Sequence, residues 1–246
     1  MSNLPAPSGE LKEILDSPSY RLAEEDSAFL ESDAARSSRL ALEFMRVDFY
    51  LRQHRINSTV VVFGSSRVKS SNRYYEEARI LGRTLAQATN GSVGRDLVVV
   101  TGGGPGIMEG ANRGAAEAGA PTIGFNIHLP VDQPPNPYIT PTLAFRFHYF
   151  ALRKMHFLLR ARALVAFPGG YGTLDELFES LNLIQTQKIR PIPIVLVGSE
   201  HWRRVVDFDY LVNEGFIGPE DRQLAQIVET GAEAARLIMD FHQAHR

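Results

Sequence analysis

A chain of 246 residues, 44% hydrophobic and 22% charged, is long enough to bury an α/β core and ordinary in composition for a globular protein. A net charge of −2 gives no basic excess that would favour nucleic acid, and zero cysteines exclude disulfides, thiolate metal sites and a cysteine nucleophile. No stretch approaches the roughly 18 apolar residues that a membrane span needs, and the polar N-terminus MSNLPAPSGELKEILDSPSYR lacks a signal-peptide core, so the expected location is the cytoplasm.

Residues 1–20, rich in Pro, Ser and Gly, read as a mobile arm. Residues 27–55 read as a helix, with Leu40, Phe44, Val47 and Leu51 forming one apolar stripe. From residue 59 the texture changes. TVVVF at 59–63 predicts a buried strand ending in GSS at 64–66, and 72–89 predicts a helix. LVVV at 97–100 predicts a second strand, ending in TGGGPG at 101–106, with a helix over 107–118. TIGFN at 122–126 is a third strand, and residues 129–142, with five prolines, form a loop. A short strand at 145–147 leads into a helix over 150–161. ALVAF at 163–167 is a strand that enters PGGYGTLDE at 168–176, and a helix is expected over 174–185. IPIVLV at 192–197 is the last expected strand, and its internal proline suggests an edge strand or a strand start. Helices are expected to fill the remainder. The domain division is therefore an arm and helix over 1–55 and a single nucleotide-binding domain over 56–246.

Strands that are apolar throughout and alternate with helices imply a Rossmann-like α/β fold: a doubly wound parallel sheet with helices on both faces, extended here by N-terminal helix. In such sheets ligands bind beyond the carboxyl ends of the strands. Three glycine-rich turns stand at those ends, GSS, GGGPG and PGGYGT. Glycine lets backbone N–H groups face a ligand, and with a following helix N-terminus they favour an anion. The dinucleotide fingerprint GxGxxG fails, because Glu109 stands where the third glycine is required after Gly104 and Gly106, and no GxxxxGK[ST] string occurs. A mononucleotide phosphate fits what remains.

Thr173-x-x-Glu176 has two readings. One is a capping box, with Thr173 at the N-cap and Glu176 at N3. The other places the Glu176 carboxylate at the sheet rim beside a ligand, where a phosphate would be repelled unless cations or chemistry compensate. The adjacent Arg153 and Lys154 supply cations just before the motif strand, and Asp175 reads as a first-turn helix charge. The seven histidines include His148 and His156 near that pair, but they form no HExxH or comparable cluster, so no metal is expected.

Residues 59–198 resemble the LOG (Lonely Guy) family, cytokinin riboside 5′-monophosphate phosphoribohydrolases. The resemblance rests on PGGYGTLDE at 168–176, a full match to the family's PGGxGTxxE, on GGGPGIMEG at 102–110 and on Arg153–Lys154. The long N-terminal segment looks like the larger bacterial branch. Where compact members carry Met-His before the Arg-Lys pair, this chain carries Phe150–Ala151. The resemblance implies hydrolysis of the N-glycosidic bond of an adenine nucleoside 5′-monophosphate, N6-prenylated or not, to base and ribose 5-phosphate. It implies Arg153 and Glu176 as the catalytic pair and Gly169, Gly170, Gly172 and Thr173 as the phosphate loop. Ser65, Gly103, Gly104 and Lys154 are the further expected nucleotide contacts, and Tyr149, Phe150 and Met155 border the expected base pocket. It also implies a homodimer or higher homo-oligomer, and the expected partners include neither nucleic acid nor membrane. No cofactor is expected.

The residues suit that chemistry. Breaking an N-glycosidic bond builds positive charge on the ribose, and a carboxylate beneath the sugar stabilises it or activates water. Arg153 cannot serve as a general acid, because it does not deprotonate. Two other readings are open. A lysine decarboxylase would need a pyridoxal phosphate Schiff base, for which only Lys12, Lys69, Lys154 and Lys188 exist, none in a supporting pattern. A non-catalytic nucleotide or molybdenum-cofactor carrier of similar fold would need the glycines but not the Arg153–Glu176 pair.

Overall fold

The computed structural model describes residues 9–89, 97–130 and 133–244. Residues 1–8 of the expected arm, and 131–132 of the proline-rich loop, lie outside the described residues. The chain divides into two compact units, residues 1–45 and 46–246.

In the first unit lie α1 (Gly9–Asp16) and α2 (Ser27–Glu31), and α3 (Arg36–Gln53) begins there. Part of the expected arm is thus helical. The single helix expected over 27–55 is broken at residues 32–35. Ser32 turns extended (φ −68°, ψ 162°), and its hydroxyl donates to the Phe29 carbonyl at 2.6 Å. This local bond competes with helix continuation, as serine side chains commonly do.

The second unit continues with β1 (Thr59–Phe63), α4 (Arg73–Thr89), β2 (Val98–Thr101), α5 (Ile107–Glu117), β3 (Thr122–Ile127) and β4 (Ala144–Phe147). There follow α6 (Phe150–Leu159), β5 (Ala161–Ala166), α7 (Tyr171–Gln185), β6 (Ile194–Val197), α8 (Ser199–Val205), α9 (Phe208–Asn213), β7 (Ala225–Val228) and α10 (Gly231–Ala244). The seven strands form one parallel sheet in the order β4-β3-β2-β1-β5-β6-β7. The fold is the expected Rossmann-like, doubly wound α/β sheet. The chain winds outward from β1 to β4, then returns to the other side of β1 as β5. The switch point therefore lies between β1 and β5, where open sheets of this kind bind ligands.

Strand side chains alternate between the two faces. Val60, Val62, Ala163, Val165, Val195 and Val197 pack beneath α4, α5 and α10, against Leu81, Leu85, Ile107, Ala111, Ala234 and Ile238, all fully buried. On the opposite face, Phe157 of α6 meets Phe63 and Phe125 with ring centroids 4.9 and 5.2 Å apart. Each such buried ring contributes about 1.5–3 kcal/mol, which seats α6 firmly on the sheet. Trp202 of α8, also fully buried, donates its indole N–H to the Val197 carbonyl at 3.1 Å.

Two strand readings change. Pro193 precedes β6, which pairs on both sides, so the proline marks a strand start and not a sheet edge. β7 falls where only helices were expected. AQIV is short and half-buried, and what makes it a strand is its pairing with β6. No helix among the described residues is long and apolar enough to cross a membrane.

Candidate active site

The loops after β1 and β5 are stitched together at the switch point. Phe167 N–H donates to the Phe63 carbonyl at 2.9 Å, and Ser65 N–H to the Pro168 carbonyl at 3.0 Å. Ile107 N–H donates to the Ser65 carbonyl at 3.1 Å, which ties in the start of α5. Above them opens a cleft of about 750 Å³, lined from one end to the other by Ser65 to Arg67, Gly102, Met108, Asn126, Ile127, Gln133, Phe150, Arg153 and residues 169–176.

Helix α7 begins three residues earlier than the sequence suggests. Its N-cap is Gly170, which makes no side-chain cap, and Thr173 and Leu174 donate their N–H groups to the Gly170 carbonyl at 3.0 and 3.1 Å. The capping-box reading is therefore wrong. Thr173 sits at N3, and Glu176 lies a turn further into the helix. The Thr173 hydroxyl packs on Gly169, where a Cβ would fall 2.1 Å from Oγ1. A Cβ at Gly170 or Gly172 would meet nothing within 4 Å. These two glycines present bare backbone at the positive end of a 15-residue helix, an arrangement that favours a phosphate.

Glu176 is 6% exposed. Burial pushes its carboxyl from an ordinary 4.5 up to about 7; the charges of Lys154 and Arg153 hold it down, and those of Glu179 and Asp175 add to the rise. Arg153 reaches the same place from α6. Its Nε donates to the Phe125 carbonyl at 2.7 Å, and its guanidinium lies 5.3 Å from the centre of the Phe157 ring. Burial lowers its pKa, while Glu176 raises it. Gly102 makes room for this arginine, since a Cβ there would fall 2.5 Å from Nη2. A buried carboxylate and a half-buried guanidinium thus share the cleft with an open helix N-terminus.

The other predicted site residues divide. Ser65 lines the cleft beside the glycine loop after β5. Lys154 turns away: its Nζ lies 2.7 Å from Asp175 Oδ2 and 3.0 Å from Glu179 Oε2, clamping α6 to α7. Gly103 and Gly104 are buried behind the wall. Gly103 adopts φ +75°, where a Cβ would also fall 2.1 Å from Asn126 Oδ1. Their loop is held by a buried polar network absent from the sequence reading. Thr101 Oγ1 donates to Asn112 Oδ1 at 2.7 Å, and Asn136 Nδ2 donates to Asn112 Oδ1 and to the Gly104 carbonyl, each at 3.0 Å. Phe150 borders the cleft, but Tyr149, Met155 and His148 do not. His156 is buried against Phe125 and Phe147.

Sequence reasoning also missed Arg67, Met108, Asn126 and Gln133, which line the cleft. Only Asn126 carried a signal, as a polar residue closing an apolar strand at its ligand-binding end.

A family model described as possible lysine decarboxylase matches residues 108–238, more than half of the chain. The chain is similar to the cytokinin riboside 5′-monophosphate phosphoribohydrolase LOG3 of Arabidopsis thaliana, 28% identical over 203 residues, covering 79% of this chain and 87% of that protein. It is also similar to a pyrimidine/purine nucleotide 5′-monophosphate nucleosidase of Escherichia coli K12, 29% identical over 191 residues, covering 72% of this chain and 39% of that longer protein. Among solved structures, a molybdenum cofactor binding protein from Rippkaea orientalis superposes with a TM-score of 0.54 at 20% identity, covering 76% of this chain and 97% of that one. That last likeness speaks for the fold alone.

Proposed function

The chain belongs to the family that carries this description, the LOG family, and from that premise we propose that it hydrolyses the N-glycosidic bond of adenine nucleoside 5′-monophosphates to free base and ribose 5-phosphate. The observation that carries the reading is the buried Glu176, with Arg153 beside it, facing a cleft that ends in the open N-terminus of α7. The 5′-phosphate binds the N–H groups of Gly170, Tyr171 and Gly172. Arg67, exposed at the same end of the cleft, adds positive charge. Glu176 then faces the ribose. As the bond from C1′ to the base nitrogen breaks, its electron pair leaves with the base and positive charge develops on the sugar. The ionised carboxylate stabilises that charge and takes a proton from the water that attacks C1′; that proton, passed on through solvent, neutralises the departing base and restores the carboxylate. Arg153 is assigned to positioning Glu176 and the substrate, and its charge, after that of Lys154, opposes the rise that burial gives the Glu176 carboxyl.

Lysine decarboxylation does not fit the cleft. Pyridoxal phosphate would need a lysine to bind as a Schiff base, and no lysine is among the residues that line it.

A second cavity of about 360 Å³ shares Asn126, Ile127 and Gln133 with the cleft and adds Pro134, Pro135 and Phe145. Its apolar walls support room for an N6 substituent, so both AMP and an N6-prenylated AMP are substrates in this reading. The test is product analysis with AMP, isopentenyl-AMP, GMP, CMP and adenosine side by side. Ribose 5-phosphate and free base are expected from AMP, with adenosine a poor substrate. Adenosine cleaved as efficiently as AMP would remove the phosphate anchor from the mechanism.

We also propose a homodimer or higher homo-oligomer. The support is an apolar strip on α6 and α7, where Met155, Leu159 and Phe178 are 48%, 53% and 40% exposed. The stripe expected to serve instead is turned partly inward, with Val47 and Leu51 buried. Light scattering at micromolar concentration is expected to give at least twice the chain mass, and a monomer there would overturn the proposal.

A further inference from the structure

The two ends of the cleft differ in chemistry. Towards β5 and β1 it offers backbone N–H groups and Arg67. Towards β3 it offers two carboxamides, Asn126 and Gln133, with Met108, Ile127 and Leu129. Both carboxamides stand over the glycine loop after β2. Asn126 Oδ1 lies 2.1 Å from where a Gly103 Cβ would be, and Gln133 Oε1 lies 3.2 Å from the same point on Gly104. Among the described residues neither carboxamide makes a side-chain hydrogen bond; Asn126 is partly buried and Gln133 exposed. A partly buried carboxamide without a partner, as at Asn126, is set up to receive one from a ligand; Gln133 is exposed and joins it by position over the same glycine loop.

Position along the sheet indicates which part of a ligand that is. β5, β1, β2 and β3 are consecutive neighbours, three spacings of ~4.8 Å, so about 14 Å separates the phosphate loop from the end of β3. A nucleotide laid along the rim with its phosphate on α7 places its ribose at Arg153 and Glu176 and its base at Asn126 and Gln133. A carboxamide presents one donor group and one acceptor side by side. The N6/N7 edge of adenine offers the complementary pair, a donor and an acceptor. Guanine and hypoxanthine place two acceptors, O6 and N7, on that edge, and pyrimidines have no N7.

We propose that Asn126 and Gln133 are the specificity-determining residues of the site and select a 6-amino purine over a 6-oxo purine. The inference rests on the reading of the cleft as a nucleoside monophosphate site. Asn126 is anchored at the end of β3 and sets the position of the base, and Gln133 closes over it from the proline-rich loop.

The experiment compares kcat/KM for AMP, IMP and GMP in wild type, Gln133→Leu and Asn126→Leu. Gln133 is exposed, so Gln133→Leu is expected to leave the fold intact, with unchanged thermal melting and ribose 5-phosphate affinity. Wild type is expected to prefer AMP. Each variant is expected to lower that preference by about five- to 150-fold, the range for one bidentate base contact, through loss on AMP with IMP little changed. Equal rates on AMP and IMP in wild type, or equal losses on all three substrates in the variants, overturn the proposal. If wild type releases base from none of them, the hydrolase reading has failed instead. Calorimetric titration of AMP and IMP then decides the proposal separately: a selective loss of AMP affinity in Gln133→Leu upholds it, and equal affinities reject it.

Discussion

Glu176→Gln is expected to fold normally, to bind AMP at least as tightly as wild type, and to lose at least about a hundredfold in kcat. The substitution keeps the side-chain length and removes the charge. Glu176 lies beyond the first turn of α7, so the helix start at Gly170 is untouched. Binding holds or tightens because a negative charge near the phosphate is gone. Turnover falls because general base action by itself contributes about 10²–10⁴-fold. The same variant carries a stability signature. The folded state raises this carboxyl from 4.5 to about 7, so it holds the proton more tightly than the unfolded chain does. Between those two pH values the folded form binds more protons, and stability falls as pH rises. The cost is absent below pH 4.5 and complete above pH 7, at roughly 3 kcal/mol for this shift. Glutamine never ionises, so the variant should outlast wild type in thermal melts at pH 8 and gain nothing at pH 4. Single-turnover base release and the two melts decide the matter. Full activity in Glu176→Gln would remove Glu176 from the catalytic step, and base release by neither protein would point to a non-catalytic binding protein of this fold.

The pH dependence of kcat/KM should follow the same carboxylate in the free enzyme. If the ionised form is active, kcat/KM rises tenfold per pH unit below about 7 and levels above it, which leaves activity at pH 5 about a hundredfold under the plateau. A nucleotide phosphate titrates near pH 6, so the inflection needs an assignment. Lys154 provides one. Its charge is the largest of those holding the Glu176 carboxyl down, and it also neutralises Asp175 and Glu179. Lys154→Met is therefore expected to move the inflection upward while leaving the phosphate's own titration in place. An inflection that stays put in Lys154→Met belongs to the substrate and removes Glu176 from the ionisation that governs the rate.

Much of this site was open to sequence reasoning because a parallel sheet collects its loops at one end. Apolar strand runs such as TVVVF and LVVV are buried on both faces, which requires helices between them. Once that is granted, GSS, GGGPG and PGGYGT meet at one rim whatever their separation along the chain. The glycines, Glu176 and Arg153 follow from the strand that each one precedes or follows. The positions that escaped depend on geometry that no local pattern carries. Helix α7 starts at Tyr171, with Thr173 packed inward where Gly169 leaves room for its hydroxyl, and that start sets Glu176 in the cleft and not at a cap. Lys154 and Arg153 are neighbours in the chain, but adjacent helical positions point about 100° apart, so one enters the cleft and the other pairs with Asp175 and Glu179. Asn126 and Gln133 are seven residues apart and become a pair only because the proline-rich loop folds back over the glycine turn, held there by Asn136 on Gly103 and Gly104. β7 exists as a strand only through its hydrogen bonds to β6. The chain's own pattern of apolar runs and glycines determined the sheet, its rim and the glycine loops that meet there. Side-chain direction and long-range hydrogen bonding, which exist only once the elements have docked, decided which charges and carboxamides face the cleft.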